Sequence, residues 1–194
     1  MSNEILPNKK KSGYISIGKE AYIRGNDIKF VLDSNCKEAK RSVQFATKDQ
    51  KFYNFVARSS KRLTTIVMLD GRVYVSGFLP KKIIERLQEQ GLHFIKVGSG
   101  LFLSVNQIDS FYGFNGTIAT QLRRNRRDGT NISLVRSTKQ RKTTILLKNG
   151  ECVSVVCTPA KIVEAIGNGL AQAEEFWETH FVKKYWWQTC IVNI

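Results

Sequence analysis

The stretch Thr64-Thr-Ile-Val-Met-Leu-Asp-Gly71 decides the fold, because it returns as Thr143-Thr-Ile-Leu-Leu-Lys-Asn-Gly150 at an offset of 79 residues. The likeness continues through Pro80-Lys-Lys-Ile-Ile-Glu85, which falls on Pro159-Ala-Lys-Ile-Val-Glu164. Of the 24 ungapped positions from Thr64 to Leu87, 8 are identical in the two copies. A match of this length at one offset indicates an internal repeat.

A second block upstream supports the same repeat at an offset of 80 residues. Tyr14-Ile-Ser-Ile-Gly18 falls on Phe94-Ile-Lys-Val-Gly98, and Asn26-Asp-Ile28 falls on Asn106-Gln-Ile108. Two collinear blocks that differ by one inserted residue predict a tandem duplication of a unit of about eighty residues. We therefore expect four segments: a basic N-terminal tail at 1–13, a first unit at 14–90, a second unit at 91–172 and an aromatic C-terminal extension at 173–194.

The local patterns predict an α+β fold class, with each unit containing small antiparallel strands, a basic helix, a β-hairpin and a C-terminal helix. Residues 14–18 and 21–31 alternate or run apolar and predict short strands. The segment Ser34–Phe45 begins with capping residues and predicts the basic helix. Pro80 and Pro159 predict the start of the last helix, since proline at the first helical position loses no hydrogen bond.

The dipeptides Asp70-Gly71 and Asn149-Gly150 fall between two apolar runs in each copy. Such dipeptides suit a two-residue type I′ turn, in which both central residues have positive φ. The repeated Asp/Asn-Gly is thus expected to be a hairpin turn and not a reactive site.

The composition indicates a folded, strongly basic protein. The 194 residues include 31 Lys+Arg against 16 Asp+Glu, a net charge of +15, with 42% hydrophobic residues. That apolar content excludes a wholly disordered basic tail. The sequence has no apolar run long enough to cross a bilayer and no signal-peptide pattern at its start, so we expect a cytoplasmic protein without a membrane partner. Such a charge favours nucleic acid as the partner.

The positive charge is concentrated in two equivalent segments. Residues 37–62 hold eight Lys or Arg against two acids, and residues 123–142 hold eight against one. Long cations mixed with Ser and Thr suit contacts to the phosphates of a nucleic-acid backbone. The predicted nucleic-acid-binding residues are Lys40, Arg41, Arg58, Lys61, Arg62, Arg123, Arg124, Arg126, Arg127, Arg136, Lys139, Arg141 and Lys142.

The sequence lacks the constellations that catalysis or metal binding requires. Its four cysteines include no C-x-x-C pair, and its two histidines lie far from them. Gly98-Ser-Gly100 is not a phosphate-binding loop, because no Gly-Lys-Ser/Thr follows. We therefore predict no metal, no cofactor, no small-molecule substrate and no enzymatic activity.

Aromatic residues leave two other kinds of partner open besides duplex DNA. RNA or single-stranded nucleic acid could stack on Tyr53, Phe55, Phe111 and Tyr112, which lie beside the basic segments, although their strand-like spacing favours the core. The aromatic segment 176–187 could lie at a bilayer interface, but neighbouring glutamates oppose this and favour packing or a subunit contact.

The second copy resembles a known family. Phe94-Ile-Lys-Val-Gly-Ser-Gly-Leu-Phe-Leu-Ser-Val-Asn-Gln-Ile108 is similar to the opening F-I-x-I-G-x-G-x-x-V-S-x-N-R-I of RemA-like regulators of the extracellular biofilm matrix. Arg123–Arg127 resembles the family's Arg-rich helix, Gln140-Arg141 its paired basic loop positions, and Thr158–Ile162 its proline-led last helix. Lys61-Arg62 takes the place of the basic pair in the first copy. Gln107 and Asp27 stand where the family has Arg.

The resemblance implies a fold like that of LytTR DNA-binding domains. It also implies a ring-shaped homo-oligomer that binds duplex DNA with little sequence preference and wraps it around a basic rim. The chain would then be a transcriptional regulator or an architectural protein associated with the nucleoid. Family members are single units, so a tandem chain would form such a ring from half as many polypeptides.

Overall fold

The computed structural model describes residues 13–18, 20–56, 60–124, 131–133 and 140–177. The first half of the chain contains six strands and two helices among these residues. They are β1 (Tyr14–Gly18), β2 (Ala21–Arg24), β3 (Ile28–Asp33), α1 (Lys37–Lys48), β4 (Phe52–Asn54), β5 (Thr64–Met68), β6 (Val73–Ser76) and α2 (Pro80–Glu89).

The second half contains the same elements in the same order within its described residues. They are β7 (Phe94–Gly98), β8 (Leu101–Ser104), β9 (Ile108–Gly113), α3 (Thr117–Arg124), β10 (Asn131–Ser133), β11 (Thr143–Leu147), β12 (Cys152–Val155) and α4 (Pro159–Trp177). The α+β class is therefore confirmed. The evolutionary duplication and the four segment boundaries stay predictions.

Three details differ from the sequence-based expectation. A 3₁₀ turn at Gly25–Asp27 divides the expected strand 21–31 into β2 and β3. Helix α1 begins at Lys37 and not at Ser34, because the Sγ of Cys36 caps it by accepting the N–H of Ala39 at 3.4 Å. The short strands β4 and β10 were not predicted, and they pair in parallel with β6 and β12.

The predicted type I′ turns are wrong. Gly71 and Gly150 have φ of +82° and +85°, but Asp70 and Asn149 are not among the residues with positive φ. The N–H of Gly71 donates to the C=O of Met68 at 3.3 Å, and the hairpin closes one residue later. This is the three-residue loop with glycine in the left-handed position. Aspartate and asparagine instead accept a backbone N–H two residues on, at 3.0 and 3.1 Å, which holds them at negative φ.

The strands form one large sheet that contains elements of both halves. Its order is β4-β6-β5-β3-β8-β7, so the β7–β8 hairpin of the second half pairs with β3 of the first. The second half keeps a separate sheet of order β10-β12-β11-β9. The β1–β2 hairpin forms a two-stranded sheet by itself. One hairpin thus joins the halves through backbone hydrogen bonds.

Each half has an apolar core at corresponding positions. Ile17, Ile66 and Ile83 are fully buried between the β1–β2 hairpin, one sheet face and α2. Val97 and Ile145 occupy the matching places below α4 in the second half. This second core continues across the β3–β8 pairing onto the α1 face of the six-stranded sheet. One apolar core therefore contains buried residues of both halves.

Each half also contains an equivalent backbone hydrogen bond outside regular strand pairing. The N–H of Ser34 donates to the C=O of Leu63 at 3.1 Å, and that of Phe114 donates to Lys142 at 2.9 Å. Both bonds place the basic segment against the turn that leads into the basic helix. The backbone beside each basic segment is therefore held by an equivalent hydrogen bond in both halves.

Candidate nucleic-acid interface

Two arginines of the second half converge on one aromatic ring. The guanidinium carbon of Arg123, on α3, lies 3.9 Å from the centroid of the Phe114 ring. That of Arg141, in the segment before β11, lies 5.7 Å from the same centroid. Both distances fall within the range of cation–π contacts. The ring of Phe114 therefore brings together two basic residues that are far apart in sequence.

The orientation of Arg123 is determined by two threonines. Its Nη1 donates to the Oγ1 of Thr144 at 2.7 Å, and its Nη2 donates to the Oγ1 of Thr120 at 3.3 Å. Burial and the positive charge of Arg141 lower the pKa of Arg123. The guanidinium remains protonated all the same, because arginine is not deprotonated in proteins. Two adjacent positive charges in a partly buried place favour a bound anion.

The Nε of Arg141 is buried and has no hydrogen-bond partner within the described part of the chain. A buried donor without an acceptor loses about 1–3 kcal/mol of hydration free energy. No carboxylate of the described residues forms an ion pair with Arg141. A phosphate oxygen would supply both the acceptor and the negative charge.

The first half has a different arrangement at the corresponding positions. Ser34 replaces the phenylalanine, and Val43 replaces the arginine of the helix. The hydroxyl groups of Ser34 and Thr65 are 2.9 Å apart, so Thr65 has a partner without an arginine. Arg62 corresponds to Arg141, and its guanidinium carbon lies 5.9 Å from the ring centroid of Phe52. The two basic segments are thus equivalent in place but not in structure.

The other predicted residues divide into exposed ones and ones outside the description. Lys40 and Arg41 are exposed on α1, and Arg41 lies 5.4 Å from the ring of Phe45. The remaining exposed residues are Lys61, Arg62, Arg124 and Lys142, whereas Arg123 and Arg141 are half-buried. Arg58, Arg126, Arg127, Arg136 and Lys139 lie outside the described residues. Among the predicted residues that the structure describes, Arg123 and Arg141 are the two whose guanidinium groups contact one shared side chain, the ring of Phe114.

The expectation that Tyr53 and Phe55 belong to the core is wrong. They are 41% and 39% exposed, and both stack on the buried ring of Tyr74, at centroid distances of 5.1 and 5.9 Å. Strand β4 is an edge strand within the described chain, and its Phe52 packs against the core whereas Tyr53 and Phe55 remain exposed. Phe111 and Tyr112 are half-buried on β9.

Sequence reasoning missed three residues that organise the site: Phe114, Thr120 and Thr144. The duplicated Thr-Thr at Thr64 and Thr143 carried part of the signal, because a buried hydroxyl needs a hydrogen-bond partner. Thr144 is fully buried, and that partner is Arg123. Phe114 has no such signal, since the first half has serine there.

The described residues also bear on metal, thiol and membrane chemistry. No group of three His, Cys, Asp or Glu among them could hold a metal ion. Cys152 is buried in β12, and Cys157 is half-buried beyond its end. Burial raises the pKa of the Cys157 thiol, which suits packing rather than nucleophilic chemistry. None of the described helices combines the length and apolar character needed to cross a bilayer.

No family model matches the chain, and no curated protein sequence matches it at a significant level.

Proposed function

We propose that this chain binds duplex DNA, mainly through contacts to the phosphate backbone. The observation that carries the proposal is the pair Arg123 and Arg141 on the ring of Phe114, with the buried Nε of Arg141 lacking an acceptor within the described residues. The net charge of +15 and its concentration in two segments support a partner with dense negative charge. The role is binding and not catalysis.

We further propose that the chain is a tandem relative of the RemA-like regulators. The repeated element order, the basic segment before each hairpin and the motif Phe94–Ile108 support this assignment. Under it, the protein acts in the cytoplasm as a nucleoid-associated regulator or architectural protein. It self-associates, and the assembly presents several basic segments to one DNA duplex.

Binding to matched nucleic acids tests the proposal. Duplex DNA, duplex RNA and single-stranded DNA of equal length and mixed sequence are titrated at one salt concentration. We expect the tightest binding to duplex DNA, with little difference between unrelated sequences. Equal, weak binding to all three would contradict the proposal, and so would a clear preference for duplex RNA.

A second candidate is single-strand binding, which the exposed stack of Tyr53 and Phe55 on Tyr74 favours. Bases stack on such rings with about 1–3 kcal/mol per base. Tyr53→Ala with Phe55→Ala should then weaken single-strand binding by at least tenfold and leave duplex binding unchanged. If the double variant binds single strands as the wild type does, the stack has no such role.

A further inference from the structure

Strand β9 has a free edge in the described part of the chain. It pairs with β11 on one side, and none of the described strands lies on the other. The β1–β2 hairpin likewise pairs with no third strand among them. An uncovered strand edge is a template for pairing with another chain.

The junction between the two halves shows how such a hairpin and edge fit together. β8 of the second half pairs antiparallel with β3 of the first, with Val31 opposite Phe102 and Leu32 opposite Leu101. β8 corresponds to β2 in the repeat, and β3 corresponds to β9. The chain therefore contains one completed copy of this pairing, whereas β2 of the first half and β9 of the second half have no such partner among the described strands.

We propose that chains associate head to tail, with β2 of one chain added antiparallel to β9 of the next. Transferring the register of the internal junction places Ala21 opposite Tyr112, Tyr22 opposite Phe111 and Ile23 opposite Ser110. The inference rests on the proposed self-association and does not depend on DNA binding.

The free hairpin already has the conformation of the paired one. The β1–β2 pairing has an irregularity between Ser16 and Gly18, and the β7–β8 pairing has the same irregularity between Lys96 and Gly98. Glu20 has φ of +50°, and its counterpart Gly100 has φ of +67°. A glutamate in this backbone region is uncommon, so the loop is built to one shape in both halves.

The strands of the internal junction are more buried than their counterparts β9 and the β1–β2 hairpin, as expected if those counterparts pair only in an assembly. Strand β3 is buried over Ile28–Leu32, whereas β9 is half-buried or exposed along its length. Phe94 of β7 is 8% exposed, but its counterpart Tyr14 is 52% exposed. Tyr22 is 65% exposed, while its counterpart Phe102 is half-buried. Pairing of β2 with β9 would cover both tyrosines.

Residue size is complementary at the inferred junction. In the internal junction, the N–H of Asp33 donates to the C=O of Gly100 at 2.6 Å, and a Cβ on Gly100 would lie 2.6 Å from that of Asp33. This contact requires glycine on one side. The corresponding pair between chains is Gly113 and Glu20, with glycine now on the other side. A Cβ at Gly113 would meet nothing within 4 Å in the described chain, so the space is open.

Charge is complementary as well. Lys29 of β3 forms an ion pair across the internal junction with Glu151, in the turn between β11 and β12. The corresponding residues between chains are Asp109 of β9 and Arg72 of the next chain's hairpin turn. Both signs are reversed, so the attraction is kept. Asp109 is exposed, and the Arg72 side chain is 42% exposed and already pairs through its Nε with Asp70 at 2.6 Å, so Asp109 would join this pair as a second carboxylate.

Assembly in this way is heterologous, because each chain contributes a different surface to each side of the contact. Such contacts close into a ring if the rotation per chain allows it and otherwise form a filament. Every junction, internal or between chains, then has the same strand pairing. The basic segments repeat along the assembly at the spacing of the units.

The experiment measures mass in solution without nucleic acid, by light scattering at micromolar concentration. We expect the wild type to have a mass of at least twice the 22.1 kDa of one chain. Gly113→Asp should give the 22.1 kDa monomer with an unchanged circular dichroism spectrum, because Glu20 would collide with the new side chain. Adding Glu20→Gly recreates the internal pair and should restore the assembly. Gly167→Ala, at another open position, is the control and should change nothing.

A charge exchange gives an independent second test. Asp109→Lys alone and Arg72→Glu alone should weaken assembly at least tenfold, and the double variant should recover it. A wild-type monomer would overturn the inference. Slow hydrogen exchange of the β9 amides in that monomer would show that another part of the same chain covers this edge. A wild-type oligomer unaffected by Gly113→Asp would overturn this interface while leaving self-association intact. Loss of DNA binding with the mass unchanged would concern only the proposed function.

Discussion

Lys29 and Glu151 form an ion pair that joins the two halves of the chain. The lysine is almost completely buried on β3, with 8% of its side chain exposed, whereas 24% of the Glu151 side chain is exposed. An ion pair in such a place determines how the second hairpin turn sits against the first sheet. Its two partners should therefore contribute unequally to stability.

We expect Glu151→Leu to lower the free energy of unfolding by about 3 kcal/mol, because it leaves a charged lysine buried without a partner. Lys29→Met should cost less, since water can reach the remaining carboxylate. The double variant should recover most of the loss. Urea unfolding of the three variants checks this order, and equal losses in both single variants would contradict it.

Gly100→Ala should destabilise the protein by about 1–3 kcal/mol, because the residue has positive φ and its Cβ would collide with Asp33. Hydrogen exchange should show faster exchange in β8 than in β5, since the added methyl separates β8 from β3. Gly167→Ala is the matched control. It lies in α4 with open space around it and should be neutral or stabilising by about 0.5–1 kcal/mol. Equal effects of both substitutions would show that Gly100 is not needed for the close approach.

DNA affinity should fall steeply with salt. If about 6–10 phosphates are neutralised, affinity between 50 and 200 mM salt drops on the order of 10³–10⁵-fold. Fluorescence anisotropy with a labelled duplex at four salt concentrations measures the slope. An affinity that barely changes over this range would mean that the basic segments are ordinary solvated surface.

Replacing Arg141 and Lys142 by Ala should weaken DNA binding and reduce the salt slope by about 2, one unit per lost phosphate contact. Replacing Lys61 and Arg62 should have the same direction. The fold should remain intact, because none of these side chains belongs to the apolar cores.

The matched control for these variants is Lys81→Ala with Lys82→Ala. It removes the same charge from exposed positions of α2, outside both basic segments. An equal loss of affinity in this control would indicate that net charge, and not the location of the basic residues, governs binding.

Much of the architecture could be predicted from the sequence because it depends on local chemistry. The apolar run after Thr64 predicts a strand by its period, and Pro80 marks the first turn of a helix wherever that helix packs. The repeat predicts that the second half follows the same order. The turn type could not be predicted, because an Asp-Gly pair fits both the two-residue turn and the three-residue loop, in which only the glycine has positive φ.

The candidate site could also be predicted only in part. By itself the sequence determined that positive charge precedes each hairpin, since charge is a property of each residue. Only the tertiary structure brings Arg123 and Arg141 to the ring of Phe114, because α3 and the segment before β11 meet through side-chain contacts between residues far apart in the chain. It likewise decided that β8 pairs with β3, leaving β9 open in the described chain. Strand pairing depends on which strand edges meet in the folded chain, and the residue pattern within one strand does not specify its neighbour.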